Sequence, residues 1–234
     1  MAVYLTGDIH GQLSVRRLGR DNFPDGRSLT RDDFVIILGD FGLVWDGSKS
    51  DEYWLDWLEG KPWTTLFIDG NHENHPLLAA HPTRAFCGGT VHEIRPHVLH
   101  LMRGNVFDLP VGGGTKSFLA MGGAASHDRQ WRTEGRSWWP EEIPSDEERE
   151  TCEASLEQCG WHVDHVLTHD APSDMVPKIG ILSGRRFRAD EYERWLNSIA
   201  YRTEFGHWWM GHYHIDADLG AGFTVLYREV IRVA

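Results

Sequence analysis

Five short polar clusters punctuate the chain: Asp8-Ile9-His10, Gly39-Asp40, Gly70-Asn71-His72-Glu73, Thr168-His169 and Gly211-His212-Tyr213-His214. Their residue types suit one chemistry well. Two adjacent divalent cations need a bridging anionic oxygen, which a carboxylate such as Asp40 supplies. Neutral imidazoles and an amide oxygen complete the coordination without cancelling the charge. A pair of cations roughly 3.5–4 Å apart acidifies water, holds a phosphoryl group and offsets charge on the attacking and leaving oxygens. In Asp8-x-His10 and His212-x-His214 the alternation lets both side chains of a pair point the same way from an extended segment. Taken singly, each residue has a plainer role: Asp8 or Asp40 as a helix N-cap, Asn71 as a turn residue. The chemistry rests on the whole set lining up.

The elements that would position the set can be read from the apolar pattern. Ala2 to Thr6, Phe34 to Leu38 and Thr64 to Ile68 are continuous apolar runs ending in polar, Gly-rich turns, the pattern of strands buried on both faces. Short strands are predicted over Val91 to Ile94, His97 to Met102, Val106 to Leu109 and Ser117 to Met121, then over Val163 to Leu167, His207 to Met210 and Phe223 to Val233. Helical spacing predicts one helix over Ser50 to Gly60, with Ser50 as N-cap and Trp54, Leu55, Trp57 and Leu58 inward. A second begins at the Ser145/Glu148 capping box and runs through Cys152, Leu156 and Cys159 to Gly160. A third begins at Asp190/Glu193 and buries Tyr192, Trp195, Leu196 and Ile199. The sum is an α/β protein of two mixed sheets packed as a sandwich with helices outside, in one domain over residues 1–234. Every polar cluster follows an apolar run. In α/β sheets ligands bind beyond the carboxyl ends of strands, so loops far apart in sequence can converge.

Composition narrows the function. Hydrophobic residues make up 41% and include 11 Trp, enough for a packed core. A formal charge of -12 argues against a binder of long nucleic-acid duplexes or membranes, while a phosphate substrate is compatible because metals reverse the local sign. Three Cys without a CxxC pair suit a reducing compartment, and no stretch approaches 18 apolar residues, so a soluble cytoplasmic protein is expected.

Taken in order, the five clusters resemble the pattern D-x-H, G-D, G-N-H-[D/E], H, G-H-x-H of the calcineurin-like metallophosphoesterase superfamily, over residues 8 to 214. The resemblance implies a four-layer α/β/β/α sandwich. It implies two divalent transition-metal ions, Mn²⁺ first, with Fe, Zn and Co also fitting the mixed donors. Asp8, His10 and His214 would hold one metal, and Asn71, His169 and His212 the other, with Asp40 bridging. His72 would stand beside the leaving oxygen and stabilise or protonate it. The implied activity is hydrolysis of a phosphate ester, a small molecule or nucleotide. The alternative is a non-catalytic scaffold, but scaffolds of this fold usually lose a ligand or the catalytic histidine, and this chain keeps them.

The sequence departs from the protein Ser/Thr phosphatase branch. Where that branch has G-D-x-x-D-R-G, this chain reads Gly39-Asp40-Phe41-Gly42-Leu43-Val44-Trp45. Leu43 cannot orient a catalytic histidine, and the phosphate-gripping arginine is missing. Asp46, Asp69 and Asp174 are the candidates to orient His72 instead. Gly112-Gly113-Gly114 lacks the Lys-Ser/Thr of a phosphate loop and reads as a hairpin turn. The segment from Gly122 to Pro140 carries three Arg (Arg129, Arg132, Arg136) and three Trp (Trp131, Trp138, Trp139) with no clear period. Long loops in compact domains are often functional, so Arg129, His127 and Arg132 are its candidate substrate contacts, Arg129 first. His75, His81, His92, His97, His100, His162, His165 and His207 read as core, surface or supporting residues.

Overall fold

The structure, a computed structural model, describes residues 1–233. The first half of the chain runs β1 (Val3–Thr6), β2 (Phe34–Leu38), α1 (Lys49–Glu59), β3 (Thr64–Ile68), α2 (His75–Ala79), β4 (Thr83–Phe86), β5 (Gly89–Arg95) and β6 (Val98–Leu101). The second half runs β7 (Val106–Val111), β8 (Gly114–Met121), α3 (Asp146–Gln158), β9 (His162–Thr168), α4 (Val176–Ser183), α5 (Glu191–Arg202), β10 (Glu204–Met210), β11 (Ala217–Gly220), β12 (Phe223–Val225) and β13 (Val230–Arg232).

These strands form two mixed sheets, ordered β13-β1-β2-β3-β6-β5-β4 and β11-β12-β10-β9-β8-β7. In the first, β1, β2, β3 and β6 are parallel. In the second, β8, β9, β10 and β12 are parallel. The antiparallel strands lie towards the sheet edges, and the parallel strands deliver their following loops to one rim.

The continuous apolar runs have the predicted cause. Val3, Leu5, Ile36, Leu38, Leu66 and Ile68 face the second sheet, where they meet Phe107, Phe118 and Leu167. Their neighbours Tyr4, Val35, Ile37 and Phe67 face α1, packing with Trp54, Leu55 and Leu58. On the far side, Val166, Trp208 and Met210 of the second sheet meet Leu156, Ile179, Leu196 and Ile199 from the helices. Three apolar seams between four layers make the α/β/β/α sandwich. Each fully buried Leu, Ile or Phe in them contributes about 1.5–3 kcal/mol of burial free energy.

Both predicted capping boxes form, at Ser145/Glu148 and Asp190/Glu193. Gly112-Gly113 turns the β7–β8 hairpin, with φ 56° and 88°. Three readings are corrected. The N-cap of α1 is Ser48, whose side chain accepts the Asp51 amide, rather than Ser50, whose hydroxyl turns to Gln12 Oε1. Phe223 to Val233 is two strands in different sheets, because the Asp216 carboxylate captures the amides of Tyr227, Arg228 and Glu229 and bends the chain between them. Trp57 and Trp195 are half-buried, as is Cys159, unlike the fully packed Trp54 and Cys152. Sequence periodicity also missed α2, α4, β4 and β11, each of 8 residues or fewer. Among the described residues, no helix is long and apolar enough to cross a membrane.

Candidate metal centre

Asp8 and His10 follow β1, Asp40 follows β2, and Asn71 and His72 follow β3, all on one rim. From the second sheet, His169 follows β9, and His212 and His214 follow β10. The turns that bring them together are tight. A Cβ on Gly39 would lie 2.1 Å from His169 Nδ1, and one on Gly70 would lie 2.2 Å from Asp40 Oδ1. Glycine before the polar residue is therefore a packing requirement at both turns. His10, Asp40, His212 and His214 have φ of 44°, 45°, 67° and 55°, four of the seven non-glycine positive values among the described residues. Each such residue costs of order 1–3 kcal/mol and persists only where its surroundings over-determine it.

On one side of the centre, His10 Nε2 and His214 Nε2 face each other at 3.0 Å. Asp8 Oδ2 lies 3.1 Å from His214 Nε2 and 3.7 Å from His10 Nε2. That oxygen is buried and makes no hydrogen bond among the described residues. Asp8, His10, Asp40 and His214 each offer a ligand atom, all within 4.8 Å of one another. On the other side, His169 Nε2 lies 3.2 Å from Asp40 Oδ1 and 3.3 Å from Asn71 Oδ1. His169 Nδ1 donates to the Leu38 carbonyl at 2.7 Å, which fixes the tautomer and turns Nε2 inward. The His212 ring stands 5.1 Å from that of His169, centroid to centroid.

The electrostatics invite a cation. Burial works to raise Asp40, yet His169, His72 and His10 hold it well below the usual carboxylate range. Burial works to lower His169, but Asp40 and Asp8 raise it to about 10, so the surroundings of this ring favour positive charge. Burial, then the neighbouring His169, pushes His212 well below its ordinary value. An orphaned buried carboxylate oxygen, converging imidazoles and an inward amide oxygen fit divalent transition-metal ions.

Residues outside the predicted set position the donors. Glu142, buried, accepts from Ser126 Oγ at 2.6 Å, and Ser126 Oγ accepts from Asn71 Nδ2 at 3.1 Å. Because the serine's single proton goes to the carboxylate, Asn71 must present its NH₂ to Ser126 and its Oδ1 to the centre. Glu73, fully buried, accepts the amides of Phe41 (2.6 Å) and Gly42 (3.1 Å) and pins the loop that carries Asp40. Nothing in sequence spacing marks these contacts, which join residues 16 to 55 apart.

None of the three acids proposed to orient His72 reaches it. Asp69 is buried against Arg103 (2.5 Å) and His100 (3.1 Å), Asp46 accepts from the Ser48 amide, and Asp174 from Tyr201. His72 instead meets Arg132, whose Nη2 lies 2.7 Å from Nε2, while Arg132 Nε pairs with Asp128 at 2.6 Å. Burial, then Arg132 against the opposing pull of Asp40, lowers the His72 pKa. The Arg129 guanidinium lies over Trp138, 3.7 Å from its ring centroid, and does not line the cleft. Arg136 is exposed. His127 Nε2 stands 3.3 Å from His212 Nε2. A cavity of about 150 Å³ opens over the centre, lined by Asp40, Asn71, His72, His127, His212 and Arg185. Arg185 was missed, although three arginines within residues 185–188 are conspicuous in so acidic a chain.

A family model, calcineurin-like phosphoesterase, matches residues 1–216 of the 234. The chain belongs to this family. Members are metal-dependent phosphoesterases acting on phosphate esters, and the cluster of Asp8, His10, Asp40 and His214 lies where such a centre is needed. No curated protein matches the chain.

Proposed function

We propose that this calcineurin-like phosphoesterase is a dinuclear enzyme, with its residues working as one domain and His72 serving the leaving oxygen. The observation that carries this reading is Asp40. One of its oxygens lies 3.2 Å from His169 Nε2 on one side of the centre, and the other lies 3.6 Å from His10 Nδ1 on the opposite side. A single buried carboxylate placed between two donor sets is the bridge that two cations need.

In this reading Asp8, His10 and His214 would hold one ion and Asn71, His169 and His212 the other. Mn²⁺ is the first candidate, with Fe, Zn and Co chemically suitable. Bound there, the ions supply Lewis acidity and a nucleophile at neutral pH. The protein does the rest. His169 and Asn71 are held in orientation by Leu38 and Ser126. The Asp40 carboxylate accepts the His72 amide at 2.8 Å, fixing the His72 backbone against the centre. Arg132, steadied by Asp128, supplies a guanidinium for phosphate oxygens. Arg185 lines the cavity over the centre.

The test is release of p-nitrophenol from mono- and bis-p-nitrophenyl phosphate by Mn²⁺-reconstituted protein, repeated after chelation. Metal-dependent release is expected, and the ratio of the two rates assigns monoesterase or diesterase preference. Full metal loading with no release from either ester would favour the non-catalytic scaffold and sink the proposal.

A further inference from the structure

His72 and His10 also line a second, larger cavity of about 510 Å³ beside the metal centre. His72 thus belongs to both cavities, the one over the metal donors and this one. If His72 serves the leaving oxygen, what leaves must extend from it. The smaller cavity, about 150 Å³, holds a phosphoryl group and little more. The larger lies within the ordinary range for small-molecule sites of roughly 300–1,000 Å³.

Its walls specify an occupant. Leu13, Leu43 and Trp45 give it apolar and aromatic surface, and Gln12, Asp46 and Ser50 give it polar groups. Leu43 and Trp45 lie in the stretch where this sequence departs from the protein phosphatase pattern. Among the described residues, no lysine or arginine lines the cavity. The loop amides of Trp45, Asp46 and Gly47 just before α1 are taken by the Asp51 carboxylate, and the Asp51 amide by Ser48 Oγ. Ser50 Oγ donates to Gln12 Oε1, leaving the Gln12 amide NH₂ as a donor. Asp46 Oδ1 accepts the Ser48 amide, and its second oxygen remains an acceptor for a hydroxyl. A flat, uncharged, hydroxyl-bearing group fits these walls, and a polyanion does not.

We propose that this cavity is the leaving-group site and that it takes a nucleoside, which makes nucleoside monophosphates the substrate class. The base stacks on Trp45, and the sugar hydroxyls bond to Asp46 and Gln12. Hydrolysis adds the oxygen of water to phosphorus, breaks the P–O bond to the nucleoside and leaves a proton on the released hydroxyl. The assignment rests on the phosphoesterase reading above, and its test separates the two.

The experiment compares kcat/KM of the metal-loaded protein for AMP, for glycerol phosphate and for the terminal phosphate of ATP, whose leaving group is anionic. AMP should exceed glycerol phosphate about tenfold, the scale of one base–aromatic stack. Trp45→Ala should erase that preference mainly through KM. Asp46→Arg, at an exposed position, should shift the ratio towards ATP. Independently of metal, adenosine should bind the metal-free protein, and Trp45→Ala should abolish that binding in calorimetry. Equal kcat/KM for AMP and glycerol phosphate, cleavage of ATP as fast as AMP, or adenosine binding untouched by Trp45→Ala would overturn the assignment. If p-nitrophenyl phosphate is still hydrolysed in those cases, the phosphoesterase reading stands. If no ester is hydrolysed, both fall.

Discussion

The loops at the strand ends and the loop from Gly122 to Pro140 meet at the same centre but are built on different principles. In the first, backbones pass so close that residue type is dictated locally: Gly70 has no room for a Cβ beside Asp40 and His169. In the second, space is loose at the tip, and a Cβ on Gly135 would meet nothing within 4 Å. Its contacts with the centre are long-range ones, Ser126 to Asn71, Arg132 to His72 and His127 to His212, across 55, 60 and 85 residues. Crowding writes a motif into sequence, whereas a side chain reaching across a cleft leaves none.

Glycine substitutions should break this comparison most sharply. Gly70→Ala is expected to displace Asp40 and His169 and abolish metal binding and turnover together. Gly135→Ala, at φ 71°, should cost only about 1–2 kcal/mol of stability and leave turnover intact. Metal analysis and thermal melts of the two variants check this, and equal effects would refute the contrast.

Next in size is His72→Ala. Both metals should remain, and the rate should fall about 10²–10⁴-fold, with the loss smaller for leaving groups as good as nitrophenolate. Losses independent of the leaving group would mean that His72 positions substrate only.

The two loop arginines sharpen the comparison further. Arg132→Ala should lower kcat/KM by about 10–100-fold, the worth of a charge-assisted hydrogen bond of roughly 1.5–3 kcal/mol. Arg129→Ala should leave kcat/KM unchanged, because its guanidinium is engaged with Trp138. Steady-state kinetics with metal content held constant decides between them.

This contrast accounts for what sequence made legible. The layers, the order of the ligand loops and both capping boxes follow from patterns within a few residues. The partner of His72 could not be read, because Asp46, Asp69 and Asp174 look equivalent until tertiary packing commits them elsewhere. The orientation of Asn71 by Ser126 and Glu142 was hidden for the same reason. The break at Tyr227 was missed because its cause, Asp216, lies 11 residues away.

The smallest expected effect concerns stability away from the centre. Burial, helped by Arg103 and opposed by Asp69, pushes His75 down to about 3. An unfolded chain binds a proton there near pH 6.5, so its stabilising contribution is complete above that pH and lost as pH falls from 6.5 towards 3. His75→Leu should flatten the drop in unfolding free energy, measured by urea titration between pH 7.5 and 5.5, by an amount on the order of 1 kcal/mol per pH unit. An unchanged slope would show that another group governs acid sensitivity.

The central claim is that Asp40 bridges two ions. Metal content per chain and hydrolysis of p-nitrophenyl phosphate, measured side by side on the native protein and Asp40→Asn after Mn²⁺ reconstitution, test it most directly. The account predicts two ions per native chain, with metal content and activity falling together in the variant. Two ions and near-native turnover in Asp40→Asn would contradict it.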